Sequence, residues 1–378
     1  MSKRLDDPAF EPETVRRAVR LADHCTFEVG GEARFFARCR GDGAFREVLT
    51  WARGRDLPIL VLGGGSNVLI ADGGWPGVVV QSEDAAIELI PDGDGHVLLR
   101  AGAAAPWGDV VSTAVDAGLA GIECLAGIPG SVGAAPIQNI GAYGQELAET
   151  LHRVRVLERR TGEVAELDAA DCGFSYRWSR FKGEWRDRFV ITQVELRLRR
   201  GAAGEVRYGE LRRRLEDRDS TSVPTPAEVR AQVLALRRSK SMVLDPADPN
   251  RRSAGSFFLN PVVSAARADA VAEAARRRGG TRDLPRFPVE GADGDRVKLP
   301  AAWLIEEAGF HRGYGDGVAG LSSRHTLAII NRGGARARDL IRLAAEVRGV
   351  VAEVFSVALE PEPVFVGFDD SVEALLSR

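Results

Sequence analysis

Lysine is nearly missing from this chain of 378 residues: it stands only at Lys3, Lys182, Lys240 and Lys298, so almost all of the 51 basic residues are arginine. The bias reflects genome composition more than chemistry, but it makes each lysine worth following. Neither charge is in excess. The 51 basic and 54 acidic residues leave a net charge of -3, interleaved as in 211–217, which excludes a surface built for nucleic acid. Long apolar runs are also missing. Nothing approaches the roughly 20 residues that span a bilayer, and the first residues are charged and lack a secretory core, so a soluble protein of the reducing cytoplasm is expected. The four cysteines, Cys25, Cys39, Cys124 and Cys172, lie far apart without a C-x-x-C or histidine spacing, which argues against a metal site. His24, His96, His152, His311 and His325 form no cluster, which argues against a triad. No G-x-G-x-x-G opens a helix, and neither G-K-[ST] nor G-x-S-x-G occurs, which removes the motifs of Rossmann, P-loop and hydrolase-elbow sites.

What the chain has instead is glycine in two long apolar turns. One runs Gly127-Ile128-Pro129-Gly130-Ser131-Val132-Gly133 and continues through 136–144; the other is Gly63-Gly64-Gly65-Ser66-Asn67, straight after the apolar strand pattern 59–62. Glycine lets backbone approach a ligand and turns successive N–H groups toward an anion, as a nucleotide pyrophosphate requires. Tight turns between strands are the alternative.

The length is enough for two or three domains. Strand patterns at 34–38, 59–62 and 78–81 with a helix at 44–54 predict one α+β unit. Strands at 97–101, 152–158 and 190–199 with a helix at 107–117 predict a second. The polar, proline-bearing segment 200–250 reads as a connection with one helix, 226–238. A third α+β domain follows, with helices at 264–278, 301–307 and 337–355 and a strand at 326–331.

Several polar residues stand in contexts that suit chemistry. Ser256 sits in 254–259 between a glycine and two phenylalanines, where its hydroxyl could meet a substrate or merely satisfy a backbone group. Glu360 and Glu362 flank Pro361 in a proline-stiffened extended segment, and at most one of them is expected to face a site. Ser175-Tyr176-Arg177 and Arg207-Tyr208-Gly209 pair an aromatic with arginine, whose planar fork suits carboxylate or phosphate; surface stacking is the plainer reading.

Taken together, Thr26-Phe27, 62–67, 126–146, Tyr176-Arg177, 254–261 and 359–362 resemble the UDP-N-acetylenolpyruvoylglucosamine reductases, in order and spacing, over almost the whole chain. The resemblance implies a two-subdomain FAD-binding fold of the vanillyl-alcohol-oxidase type followed by a separate α+β substrate-binding domain. Residues 1–85 would be the first FAD subdomain, 86–240 the second and 241–363 the substrate domain, with the tail 364–378 packing back on the first. FAD would be held non-covalently by 63–67 and 127–133, with NADPH as co-substrate. A small-molecule UDP-sugar would be reduced at an enolpyruvyl double bond by a cytoplasmic monomer that binds neither nucleic acid nor membrane. Arg177 and Glu362 would meet the substrate carboxylate and Ser256 would deliver the proton, while Tyr208, Lys240 and Asn260 would contact the UDP-sugar. An FAD oxidase of the same fold would keep the glycine turns and lose Ser256 and Glu362, and 63–74 offers no His or Cys for a flavin tether. A binding protein without turnover would not need Arg177, Ser256 and Glu362 together. Three stretches depart from the pattern: 237–252, 280–296 and 311–320.

Overall fold

Alternation decides the first sheet. In Glu32–Cys39 the buried Ala33, Phe35, Ala37 and Cys39 alternate with exposed Glu32, Arg34 and Arg38, the period of a half-buried strand, which only the buried Phe36 interrupts. The computed structural model, which describes residues 11–217, 222–289 and 295–377, sets this strand in a four-stranded sheet ordered Val15–Arg20, Glu32–Cys39, Trp75–Ser82, Ile59–Val61. The last two strands run parallel, with Ile59 opposite Val78. Helix Gly41–Arg53 covers the sheet with Phe45, Val48, Leu49 and Ala52, the three- and four-residue spacing of a helix face.

The second sheet is antiparallel and ordered Val164–Asp168, Leu151–Glu158, Phe189–Arg200, His96–Gly102, Ile87–Pro91, with Leu119–Ala120 paired to Phe189–Arg200. Helix Trp107–Asp116 buries Trp107, Val110, Val111 and Ala114 in its core. Segment 200–250 holds two helices rather than the one expected. Pro226–Ser239 starts as its sequence dictates, with Pro226 in the first turn and a Thr225–Glu228 capping box. Gly209–Glu216 escaped the pattern because its apolar residues are only Leu211 and Leu215 among three arginines; burial of those two against the core holds it.

The chain forms two compact units. The first gathers residues up to 19, 33–65 and 76–244; the second gathers 20–32, 66–75 and 245 onward. In the second, Val364–Val366 pairs parallel with Val68–Ile70. Helix Ala337–Phe355 buries Leu340, Ala344, Val347 and Val351 and has its Ala337 N–H capped by the Asp72 carboxylate at 2.8 Å. The strand expected at 326–331 is confined to Ile329–Asn331, because Ala328 first closes a turn onto His325, and it pairs with Ala319–Leu321. Segment 311–320 is wound around one side chain: the Arg332 guanidinium donates to the carbonyls of Gly313 (2.7 Å), Tyr314 (3.1 Å) and Gly315. Within 280–296, residues 290–294 lie outside the described residues, as do 1–10; Phe287–Pro288 pairs with Arg296–Lys298.

Candidate active site

The two glycine turns meet. Strand Ile59–Val61 ends at 62–65, and the Gly64 N–H donates to Ser131 Oγ at 3.1 Å while Gln81 Nε2 holds the Gly63 carbonyl at 2.9 Å. The turn 127–133 is pinned from behind: Trp107 N–H donates to the Gly130 carbonyl, Val132 N–H to Ala105 and Gly133 N–H to Ala103, all at 2.9–3.0 Å. Ile128 packs on the core and Val132 is buried in it. A Cβ at Gly64 would come within 2.8 Å of Gly130 Cα, so backbone lies on backbone where any other residue would force the turns apart. Behind Gly127, whose φ is +74°, a Cβ would meet Arg237 Nε at 3.2 Å. Backbone bare of side chains at Gly63, Gly64, Gly127 and Gly130, with a cation beside it, fits an anionic nucleotide cofactor.

In the same unit, Tyr208 caps helix Gly209–Glu216 and sets its ring edge-on to Tyr143, 5.1 Å between centroids. Arg207 ties this segment down through the Gly144 carbonyl at 3.1 Å and Glu149 at 3.2 Å. Lys240 caps the C-terminal end of Pro226–Ser239 and reaches Glu210 at 3.0 Å. Burial pulls the Lys240 ammonium down, but the hydrogen bond and charge of Glu210 with the two tyrosines raise it overall. Burial also pushes the Tyr143 hydroxyl up. Arg177, at a positive φ of 53°, lays its guanidinium on the loop after the second glycine turn, donating to the carbonyls of Asn139 (3.3 Å) and Gly141.

The second unit brings together Ser66, Asn67, Ser256 and Glu362. Segments 257–259 and 360–362 run antiparallel: Leu259 N–H donates to Glu360 O and Glu362 N–H to Phe257 O, both at 2.9 Å, around the Phe258–Pro361 bridge. Asn67 clamps the same segment, its Nδ2 on the Glu362 carbonyl at 3.3 Å and its own carbonyl taking Val364 N–H at 2.9 Å. Thr26 Oγ1 donates to the Ser253 carbonyl at 2.6 Å and approaches that of Ser66 at 3.5 Å. Buried Phe257 and Phe258 anchor Ser256 from its C-terminal side, with Phe27 edge-on to Phe257 at 6.3 Å. Of the two glutamates, Glu360 is exposed and Glu362 half-buried. Asn260 serves a backbone group: its Oδ1 accepts the Ala301 N–H at 2.9 Å and opens helix Ala301–Glu307.

Tyr143, Glu210 and Arg237 were not singled out from sequence. Tyr143 stood inside the glycine-rich motif, and Arg237 lies one helical turn before Lys240, a spacing that places both on one face.

The profile of the UDP-N-acetylenolpyruvoylglucosamine reductase C-terminal domain matches residues 246–366, and that of an FAD binding domain matches 33–168. The UDP-N-acetylenolpyruvoylglucosamine reductase of Thermobifida fusca is 48% identical, over 93% of this chain and 98% of that protein. The reductase of Nocardia farcinica is 49% identical, over 94% and 90%. This chain belongs to the UDP-N-acetylenolpyruvoylglucosamine reductase family. The crystal structure of the family's Thermus caldophilus protein aligns over 93% of this chain and 99% of its own, with a TM-score of 0.61 and 27% identity. The architecture expected from sequence is therefore the family's: an FAD-binding α+β part and the C-terminal α+β domain of these reductases.

Proposed function

We propose that this protein reduces UDP-N-acetylglucosamine enolpyruvate to UDP-N-acetylmuramate with NADPH, through non-covalently bound FAD. The observation that carries the reading is the antiparallel pairing of 257–259 with 360–362, which holds Ser256 one residue from the partner of Glu362, inside a chain 48% identical to a named reductase. Residues 1–240 act as the cofactor-binding part and 241–363 as the substrate-binding part.

Bound FAD would supply the hydride route from NADPH to the substrate double bond. The glycine turns 63–65 and 127–133, with Ser66 and Asn67, hold it. Arg177 is oriented by two carbonyls and meets the substrate carboxylate, where negative charge gathers as hydride adds to the terminal carbon; one such preorganised partner is worth about 3–4 kcal/mol in the barrier. Glu362 contacts the same carboxylate through a shared hydrogen bond, because two bare carboxylates would repel. Ser256 then gives its hydroxyl proton to the neighbouring carbon. Tyr208 and Lys240 take the diphosphate of the UDP-sugar, and Asn260 contacts the sugar with the amide opposite its helix-capping oxygen. The protein works as a cytoplasmic monomer.

Anaerobic stopped-flow absorbance in the flavin band tests this. NADPH should bleach the band and UDP-N-acetylglucosamine enolpyruvate should restore it. Recovery only with oxygen would point to an oxidase, and protein purified without flavin would overturn the reading.

A further inference from the structure

Arg237 is a half-buried cation that these roles leave unexplained. It lies in the last turn of Pro226–Ser239, donates its terminal nitrogen to the Met242 carbonyl at 2.8 Å, and keeps Nε closed off from solvent with no partner among the described residues. The charged and titratable groups around it are Tyr143 and Arg177, with Lys240 on its own helix paired to Glu210. Neither Tyr143 nor Arg177 is a carboxylate, and Arg177 repels it. Burial of the guanidinium pulls it below its usual range, and a cation with no carboxylate beside it is stabilised by an anion that comes close.

Its position says what comes. The space a side chain at 127 would take is filled by Leu234, 3.0 Å from that absent Cβ, and by the stem and Nε of Arg237, at 3.3 and 3.2 Å. Gly127 therefore lets the guanidinium come up against the backbone of the first residue of the cofactor turn.

We infer that the positive charge of Arg237, set beside the 127–133 turn, acts on the FAD seated there and favours the reduced, more negatively charged oxidation state. The inference rests on the FAD reading above. It separates Arg237 from Arg177, which acts on substrate.

The test is the midpoint potential of the bound flavin, measured on the purified flavoprotein with a reference dye and without substrate. Arg237→Gln removes the charge. It should bind oxidised FAD within a fewfold of the parent and lose about tenfold in preference for the reduced form, which lowers a two-electron potential by about 30 mV. A potential equal to the parent's would overturn the inference, as would equal loss of affinity in both oxidation states. If the Gln variant does not hold flavin, Arg237→Lys decides. A buried ammonium loses its proton more readily than a guanidinium, so that variant should match the parent near pH 6.5 and fall below it toward pH 9; tracking the parent throughout would overturn the inference. Protein without flavin from the start sinks the functional reading instead.

Discussion

Ser256 can give up a proton only to a strong base held where water does not compete, and its surroundings meet the second condition on one side at least. Buried Phe257 and Phe258 follow it, and the backbone of Phe257 is fixed at both ends, its N–H on Leu327 O at 2.8 Å and its carbonyl under Glu362 N–H. Ser256→Ala should leave bleaching by NADPH near the parent rate and slow reoxidation by substrate by about 10²–10⁴-fold, the usual worth of a positioned acid; parental turnover in stopped flow would remove Ser256 from the role. The cysteines make the opposite case, of reactive groups kept inert. Burial pushes the Cys39, Cys124 and Cys172 thiols up to about 12 and raises Cys25 as well. At pH 8 a thiol titrating near 12 is thiolate in only about one molecule in ten thousand. Native protein should therefore react very slowly with a chromogenic disulfide, and unfolded protein should release four equivalents, one for each cysteine. Fast native labelling would show that one of these thiols opens to solvent. At this scale the sequence was most legible where chemistry needs a rare pattern, as at Ser256 and Arg177. It was least legible at Glu210 and Arg237, which are ordinary members of charged helices until the fold places them beside Lys240 and Gly127.

Elements are fixed by periodicity where they are long and by single side chains where they are short. Helices Ala301–Glu307 and Ala337–Phe355 read directly from their apolar spacing, whereas Val68–Ile70 and Val364–Val366 are three-residue strands that exist because each pairs with the other. Loop 311–320 carries no pattern at all; Arg332 orders it by donating to the carbonyls of Gly313 and Tyr314, beside backbone bonds such as Gly313 N–H to Ser322 O and Leu321 N–H to Tyr314 O. The start of helix Gly41–Arg53 is held the same way. Arg155 of strand Leu151–Glu158 grips Asp42 through two nitrogens, at 2.8 and 2.5 Å. The Arg155 hydrogen bond holds the Asp42 carboxyl below its usual 3.8. A carboxylate whose folded pKa is depressed contributes stability above the unfolded value and loses it as pH falls through the folded one. Asp42→Asn should thus cost about 1–2 kcal/mol at neutral pH, discounted for partial exposure. The gap from the parent should begin to narrow near pH 3.8, where the unfolded carboxyl protonates, and close as pH falls through the lower folded value. Denaturant titrations at pH 7 and at steps downward from pH 3.8 follow it, and a gap that does not narrow at all over those steps would mean the pair acts by packing and not by charge.

Across the whole molecule the chain order and the packing order differ. Segments 20–32 and 66–75 belong to the unit that 245 onward completes, an arrangement no local pattern reports, since pairing across almost 300 residues is paid for only when the fold closes. The consequences are specific. Without 66–75, Val364–Val366 has no strand to pair with among the described residues and Ala337 loses the Asp72 cap. Without 20–32, Asn331 loses the Phe27 carbonyl at 2.9 Å and Phe257 loses an aromatic neighbour. Each loss leaves a buried polar group unpaired or a core ring exposed, costs of about 1–3 kcal/mol apiece against a domain stability of about 5–15 kcal/mol. A fragment of 245–378 should therefore lack a cooperative thermal transition by circular dichroism and show poorly dispersed amide resonances, while the full chain melts cooperatively. A fragment that melts sharply with near-native helix content would mean that helix Ala337–Phe355 and its neighbours close a sufficient core alone, and that the two N-terminal segments only dock onto a finished unit.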